Sequence, residues 1–136
     1  MGDRLTSEWT PTLEEAFGLT GEQGERGELL AKRILENCGY SVTHVPSDYT
    51  LQTSGIDLII NNKFGVDVKA NLHSWQRYVI VEKNKLLKSS AHFWMHVNLK
   101  NPNDYVIYKV EDMKRLIHEK PIERNGCVTI LRKDIP

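Results

Sequence analysis

A chain of 136 residues, 40% hydrophobic and 26% charged, carries enough apolar material for one folded core and too little for several domains. No stretch approaches the roughly 18 apolar residues of a membrane helix, and no basic segment leads into an apolar run at the start; a membrane role is disfavoured and a cytoplasmic protein is expected. Lysine and arginine balance aspartate and glutamate at 18 each, but unevenly: residues 1–30 carry a net −5 and residues 63–100 a net +5, so a polyanion can meet the basic middle while the acidic end stays away from it.

Residues 1–20, with Trp9, Pro11 and the acidic TLEEAF, read as an N-terminal arm containing one short helix, and residues 21–136 as a single domain. The stretch TGEQGERGELLAKRILENCGY predicts a firm helix. Thr20 with Gln23 forms a capping box at its start, Gly39 stands where a C-terminal glycine cap belongs, and Leu30, Ala31, Ile34, Leu35 and Cys38 make its apolar stripe. YSVTHV is a strand, PSDYTLQTSG a polar loop, and SGIDLIINNKFGVDVKA two strands joined by a tight turn. RYVIVE follows as a strand and KNKLLKSSA as a short basic helix. HFWMHVNL and YVIYKV are strands around the turn signal NPND, VEDMKRLIHEK is helical, and CVTILR is a last strand. The order predicts an α/β (α+β mixed) fold, a central mixed sheet flanked by helices. Cys38 and Cys127 lack any CxxC spacing, which fits two buried thiols in a reducing compartment better than a disulfide or a zinc site.

The hairpin poses the chemical question, because Asp57, Asp67 and Lys69 interrupt runs of Ile, Leu and Val. Strand side chains alternate faces, so Asp67 and Lys69 point together, away from Val66 and Val68. Asp57 lies opposite the face shared by Ile56, Leu58 and Ile60. Two carboxylates and an ammonium thus converge on one side. Burying them without partners would cost at least several kcal/mol. A hard divalent cation is the natural completion, since Mg2+ commonly takes one or two carboxylates plus waters and substrate phosphate. Lys69 would then act on the attacking water or stabilise charge on the phosphate.

GID, nine residues and then DVK resembles the PD-(D/E)xK motif of the restriction-endonuclease-like nucleases, with Ile56 where that family often has proline. The helix GERGELLAKRILENCGY ahead of the first strand is similar to that of the Holliday-junction resolvases and other small nucleases of the family, which carry a glutamate there. The resemblance covers roughly residues 22–98. It implies a helix followed by a mixed sheet bearing the motif on its second and third strands, and Mg2+-dependent DNA hydrolysis, Mn2+ substituting, that leaves a 5′-phosphate and a 3′-hydroxyl. Asp57 and Asp67 would hold the metal, the Val68 carbonyl would add a ligand, Lys69 would act on the water, and Glu28 would supply an outer or second-metal contact. Glu28 is preferred because it lies about a quarter turn from the helix stripe at roughly 100° per residue, whereas Glu22 and Glu25 point to solvent; a helix-dipole carboxylate is its simpler reading. Gly24 and Gly27, near the buried face, would permit close approach to the sheet or to a DNA backbone.

Lys83, Lys85 and Lys88 on the short basic helix are candidate phosphate contacts, although such a helix equally suits solvated lysines. Arg77, Trp75 and Tyr78 can contact sugar or an unpaired base, with edge packing the commoner use of such aromatics. His73, four residues past Lys69, can reach the substrate; like His44 it has no recognisable partner. His92 and His96 have the spacing of a helical zinc pair, but HFWMHV alternates as a strand and would hold them roughly 13 Å apart. No nucleotide-binding glycine loop is present. Two readings follow: a DNA endonuclease that resembles small phage and junction-cutting enzymes, expected to act on branched or otherwise structured DNA and as a homodimer because duplex cleavage needs two cuts, or a catalytically silent nucleic-acid-binding or assembly module on the same fold.

Overall fold

The structure, a computed structural model, describes residues 21–46 and 55–136. In chain order its elements are α1 (Gly21–Asn37), β1 (Val42–His44), β2 (Leu58–Ile60), β3 (Phe64–Lys69), β4 (Tyr78–Glu82), α2 (Lys83–Leu87), β5 (Phe93–Val97), β6 (Tyr105–Lys109), α3 (Val110–Ile117) and β7 (Cys127–Leu131). The predicted arm helix in TLEEAF, the Thr20–Gln23 capping box and most of the PSDYTLQTSG loop lie outside the described residues. No helix among the described residues is long and apolar enough to cross a membrane.

The local signals work as the sequence suggests. α1 ends in a Schellman motif: the Gly39 N–H donates to the Glu36 carbonyl at 2.9 Å and the Tyr40 N–H to the Leu35 carbonyl at 3.2 Å, with Gly39 at φ 99°. Asn61 and Asn62, at φ 53° and 57°, are the central residues of the turn in the three-residue connection between β2 and β3, closed by the Lys63 N–H on the Ile60 carbonyl at 3.0 Å. Both asparagines occupy the left-handed region that a type I′ hairpin turn requires.

β1, β2, β3, β5 and β6 form a five-stranded sheet in that order. The β3–β5 pair is parallel and the other neighbours are antiparallel. β4 and β7 make a separate antiparallel ribbon. The fold is therefore mixed α/β with a mixed central sheet. One face of the sheet (Leu58, Ile60, Val66, Met95, Val97) packs on Ala31, Ile34 and Leu35 of α1. The other carries Trp94 and Tyr108 into a second core with Val79, Val81, Val128 and Ile130 of the ribbon, Leu86 of α2, and Met113 and Ile117 of α3. Alternation along β3 sends Val66 to the first core and Asp67 and Lys69 toward the second.

Three expectations need correction. Cys38 is exposed and Cys127 half-buried, so neither thiol is a core residue; Cys38 sits past the last turn of α1, where the apolar stripe has run beyond the sheet. Ile56 does not share the face of Leu58 and Ile60. It precedes β2 and packs over Gly65 toward the second core, because strand parity holds only within the ladder. Gly24 makes no close approach: a Cβ there would have nothing within 4 Å, whereas one at Gly27 would stand 2.7 Å from the Ala70 Cβ.

The two glycines therefore respond oppositely to alanine. Gly27→Ala is expected to lower stability by about 1–3 kcal/mol through overpacking. Gly24→Ala should raise it by about 0.5–1 kcal/mol through helix propensity. Urea denaturation midpoints check both signs.

Candidate functional site

The site lies at one end of the sheet, where β3 finishes, β2 begins and α1 starts. Asp57, just ahead of β2, is joined to three segments: its N–H donates to the Val66 carbonyl at 2.8 Å, its carbonyl accepts from the Val45 N–H at 2.9 Å, and its Oδ2 accepts from the Val68 N–H at 2.7 Å. The last bond replaces the β2 ladder partner that Val68 lacks, since β2 starts only at Leu58 opposite Val66, so backbone satisfaction fixes this carboxylate in place. Asp67 follows on β3. A Cβ at Gly55 would stand 2.9 Å from Asp67 Oδ2, so the chain entering β2 closes directly over that carboxylate. Both aspartates are less than a tenth exposed.

Lys69 Nζ lies 3.2 Å from Asp67 Oδ1 and 4.6 Å from the centre of the Trp94 ring. The ion pair and the aromatic face together hold the ammonium beside the two acids. Burial is the main force on both carboxyls. It pushes Asp57 up to about 8, opposed by the Val68 hydrogen bond and by Lys69 and reinforced by the charges of Asp67 and Glu28. It raises Asp67 as well, against the attraction of Lys69. Glu28 thus reaches both aspartates electrostatically, while its Oε1 contacts His44 Nε2 at 2.6 Å. His44, expected to stand alone, is the partner of the predicted acidic residue.

From Lys69 the site opens into a cleft of about 240 Å³ between the sheet and the β4–β7 ribbon, lined among others by Asn71, Glu82, Lys85, Asn125 and Cys127. No protein-family model, curated protein or solved structure matches this chain. The site is therefore read from its own chemistry. Among the described residues no three His, Cys, Asp or Glu side chains form a metal-binding group. The pair Asp57 and Asp67 still suits a hard cation that draws its other ligands from water and phosphate. Two buried acids with raised proton affinity are the donor set such an ion would relieve.

The predicted basic contacts separate into kinds. Lys85 lines the cleft, and its charge is felt at Asp67. Lys88 and Arg77 are exposed. Lys83 already has partners: its Nζ donates to the carbonyls of His118 at 3.1 Å and Lys120 at 2.6 Å, just beyond α3. That contact places a cation where the helix presents unsatisfied carbonyls and the negative end of its dipole. His73 is exposed and stacked on Trp75, with ring centres 5.5 Å apart and planes at 20°. Trp75 is 66% exposed and so is no packing residue. His92 and His96 serve different partners: His92 Nδ1 accepts from the Gly65 N–H at 3.0 Å, and His96 contacts Asn71 and Tyr108. The sequence reading missed Asn71 and Tyr108, which enter the site only through the register of three strands.

A carboxyl whose folded pKa exceeds its unfolded value of 3.8 binds more protons folded than unfolded. Its contribution is fully present below about pH 4 and is lost as the pH rises through 8. In metal-free buffer, stability should therefore decline between those limits. Asp57→Asn should flatten the decline and gain about 1–3 kcal/mol at pH 8.5 by removing a poorly compensated buried charge. Denaturation across pH with EDTA measures it. Lys83→Met should cost about 1–2 kcal/mol of stability and leave affinity for DNA unchanged, which denaturation and a binding titration check together.

Proposed function

We propose that the chain is a divalent-metal-dependent DNA endonuclease of the PD-(D/E)xK, restriction-endonuclease-like kind. One observation carries the reading: two acids on adjacent segments, both nearly buried, converge with a lysine ammonium two residues beyond the second, at a sheet end that opens into a cleft lined by Lys69 and Lys85. The architecture supports it, with a helix ahead of a mixed sheet, one acid just ahead of the second strand and the other on the third, and a parallel neighbour beside the third.

In this reading Asp57 and Asp67 would hold Mg2+ or Mn2+, and the Val68 carbonyl would add a further oxygen donor. When bound, the cation supplies positive charge at the phosphate and activates water. The protein's own groups do the rest. The Val68 N–H keeps Asp57 aimed, and Lys69, braced by Asp67 and Trp94, meets either the attacking water or a phosphate oxygen. Lys85 receives the phosphate from the other wall of the cleft, while Lys88, Arg77 and His73 offer contacts outside it. Water oxygen bonds to phosphorus, the bond from phosphorus to the 3′ oxygen breaks, and a proton reaches that oxygen, giving a 5′-phosphate and a 3′-hydroxyl. Glu28 acts on the aspartates through its charge, as an outer contact tied to His44.

A second reading rests on the pairs already made. Asp67 with Lys69 and Glu28 with His44 are internal partnerships that a silent binding module would also need. Metal separates the two. For the nuclease, Mg2+ or Mn2+ should raise the melting temperature, more at pH 8 than at pH 6 because Asp57 must release its proton to bind. Asp67→Asn should abolish that rise.

Supercoiled, linear, single-stranded and four-way-junction DNA should be cut on at least one of these forms with either metal, and not in EDTA. Asp67→Asn is expected to lower kcat by about 100-fold or more, and Lys69→Met by about 100- to 1000-fold. A folded chain that binds DNA but shows no metal-dependent melting shift and no cutting would be the module instead.

A further inference from the structure

Nuclease chemistry leaves unused two buried polar residues beneath the cleft. His96 is 1% exposed and lies in register with Lys69 across the parallel β3–β5 pair; Tyr108 is 2% exposed and in register with Trp94 across β5–β6. His96 Nε2 is 2.8 Å from the Tyr108 hydroxyl, and its Nδ1 is 2.9 Å from Asn71 Oδ1. The ring is wholly buried. Desolvation above all, then the nearby positive charges of Lys69 and Arg132, holds its pKa down to about 3, so it is neutral.

A neutral imidazole has one N–H and one acceptor nitrogen. The Asn71 oxygen can only accept, so the proton is on Nδ1 and points at Asn71. Nε2 must then accept from the Tyr108 O–H. The chain of hydrogen bonds runs one way, from Tyr108 through His96 to Asn71. It ends by turning Asn71 Oδ1 inward, which leaves Nδ2 with its two N–H groups on the side of an exposed residue that lines the cleft. Nδ2 donates no hydrogen bond to another described residue. Lys69 and Lys85 share that cleft, and Glu82 there lies 3.5 Å from Lys85. Two ammonium groups and an outward amide form a wall suited to an anion with several oxygens.

Resting on the nuclease reading, we infer that Asn71 donates from Nδ2 to a phosphate oxygen of the bound strand beside Lys69, with His96 and Tyr108 as positioning residues that keep the donor end of the carboxamide toward the anion. Without them the carboxamide can turn over and present its oxygen, which repels phosphate.

The test is 15N NMR of the full chain titrated with thymidine 5′-monophosphate in Mg2+. The Asn71 side-chain amide pair, assigned by its loss in Asn71→Asp, should shift along the same saturation curve as Lys69, and His96 Nε2 should give the signal of an unprotonated nitrogen. Asn71→Asp should weaken the nucleotide by about tenfold or more, through the loss of a hydrogen bond to a charged group and the repulsion between the new carboxylate and the phosphate. Tyr108→Phe keeps the ring and removes only the O–H. It should weaken binding by about threefold and reduce the Asn71 shift while the backbone spectrum elsewhere is unchanged. Stationary Asn71 signals, whether or not the nucleotide binds, or a proton on His96 Nε2, would overturn the inference. So would DNA cleavage by Asn71→Asp with wild-type KM, which leaves the nuclease standing. Shifting Asn71 signals in a protein that cuts no DNA would uphold the donor and remove the nuclease.

Discussion

The Val68 N–H on the Asp57 carboxylate is the bond on which the rest of the site depends. β2 begins too late, at Leu58 opposite Val66, to give Val68 a main-chain acceptor, and a side-chain oxygen fills the gap at 2.7 Å. An unmet N–H at this depth would be costly, so the sheet itself demands an acceptor there. The acceptor supplied is an acid, and its neighbour across the hairpin is another. A rule of backbone satisfaction therefore delivers one carboxylate to the exact place where the alternation of β3 delivers the second and the ammonium that follows it.

That arrangement sets a balance between stability and chemistry. Burial pushes both acids toward the protonated form, while Lys69, the Val68 bond and Lys85 pull toward the charged one. The folded chain tolerates this conflict because both apolar cores lie to either side of the strand that carries it. α1 packs one face, and the ribbon with α2 and α3 packs the other. The glycine contact between α1 and Ala70 closes the same end of the sheet, placing Glu28 near enough for its charge to be felt by both aspartates.

Much of this could be read from the sequence because it is local. The Asn61–Asn62 turn, the Gly39 cap and the alternation in GVDVK each need only a few neighbouring residues to state their geometry. The errors arise where a partner is distant or an element stops. Ile56 was placed by a parity that ends at Leu58, and Cys38 by a helical stripe that outruns the sheet. The carbonyl partners of Lys83 could not be foreseen because they lie 35 and 37 residues further along the chain. Glu28 could be chosen by its angle on the helix, but its pairing with His44 required β1 to be docked. The path from Tyr108 to Asn71 needed β3, β5 and β6 all in register, which no short pattern encodes.

The parallel pairing of β3 with β5 also imposes an order of assembly. The β2–β3 hairpin closes over a three-residue connection, so Asp57 and Asp67 can meet while most of the chain is still open and water screens them. β5 can join only after β4 and α2 have been looped out and folded back, a slower closure across greater sequence separation. Lys85 and the Trp94 ring arrive with that later step. The acids are thus assembled in solvent first and desolvated last, and the crossover that dries them also brings the aromatic ring and the second lysine that make their burial tolerable.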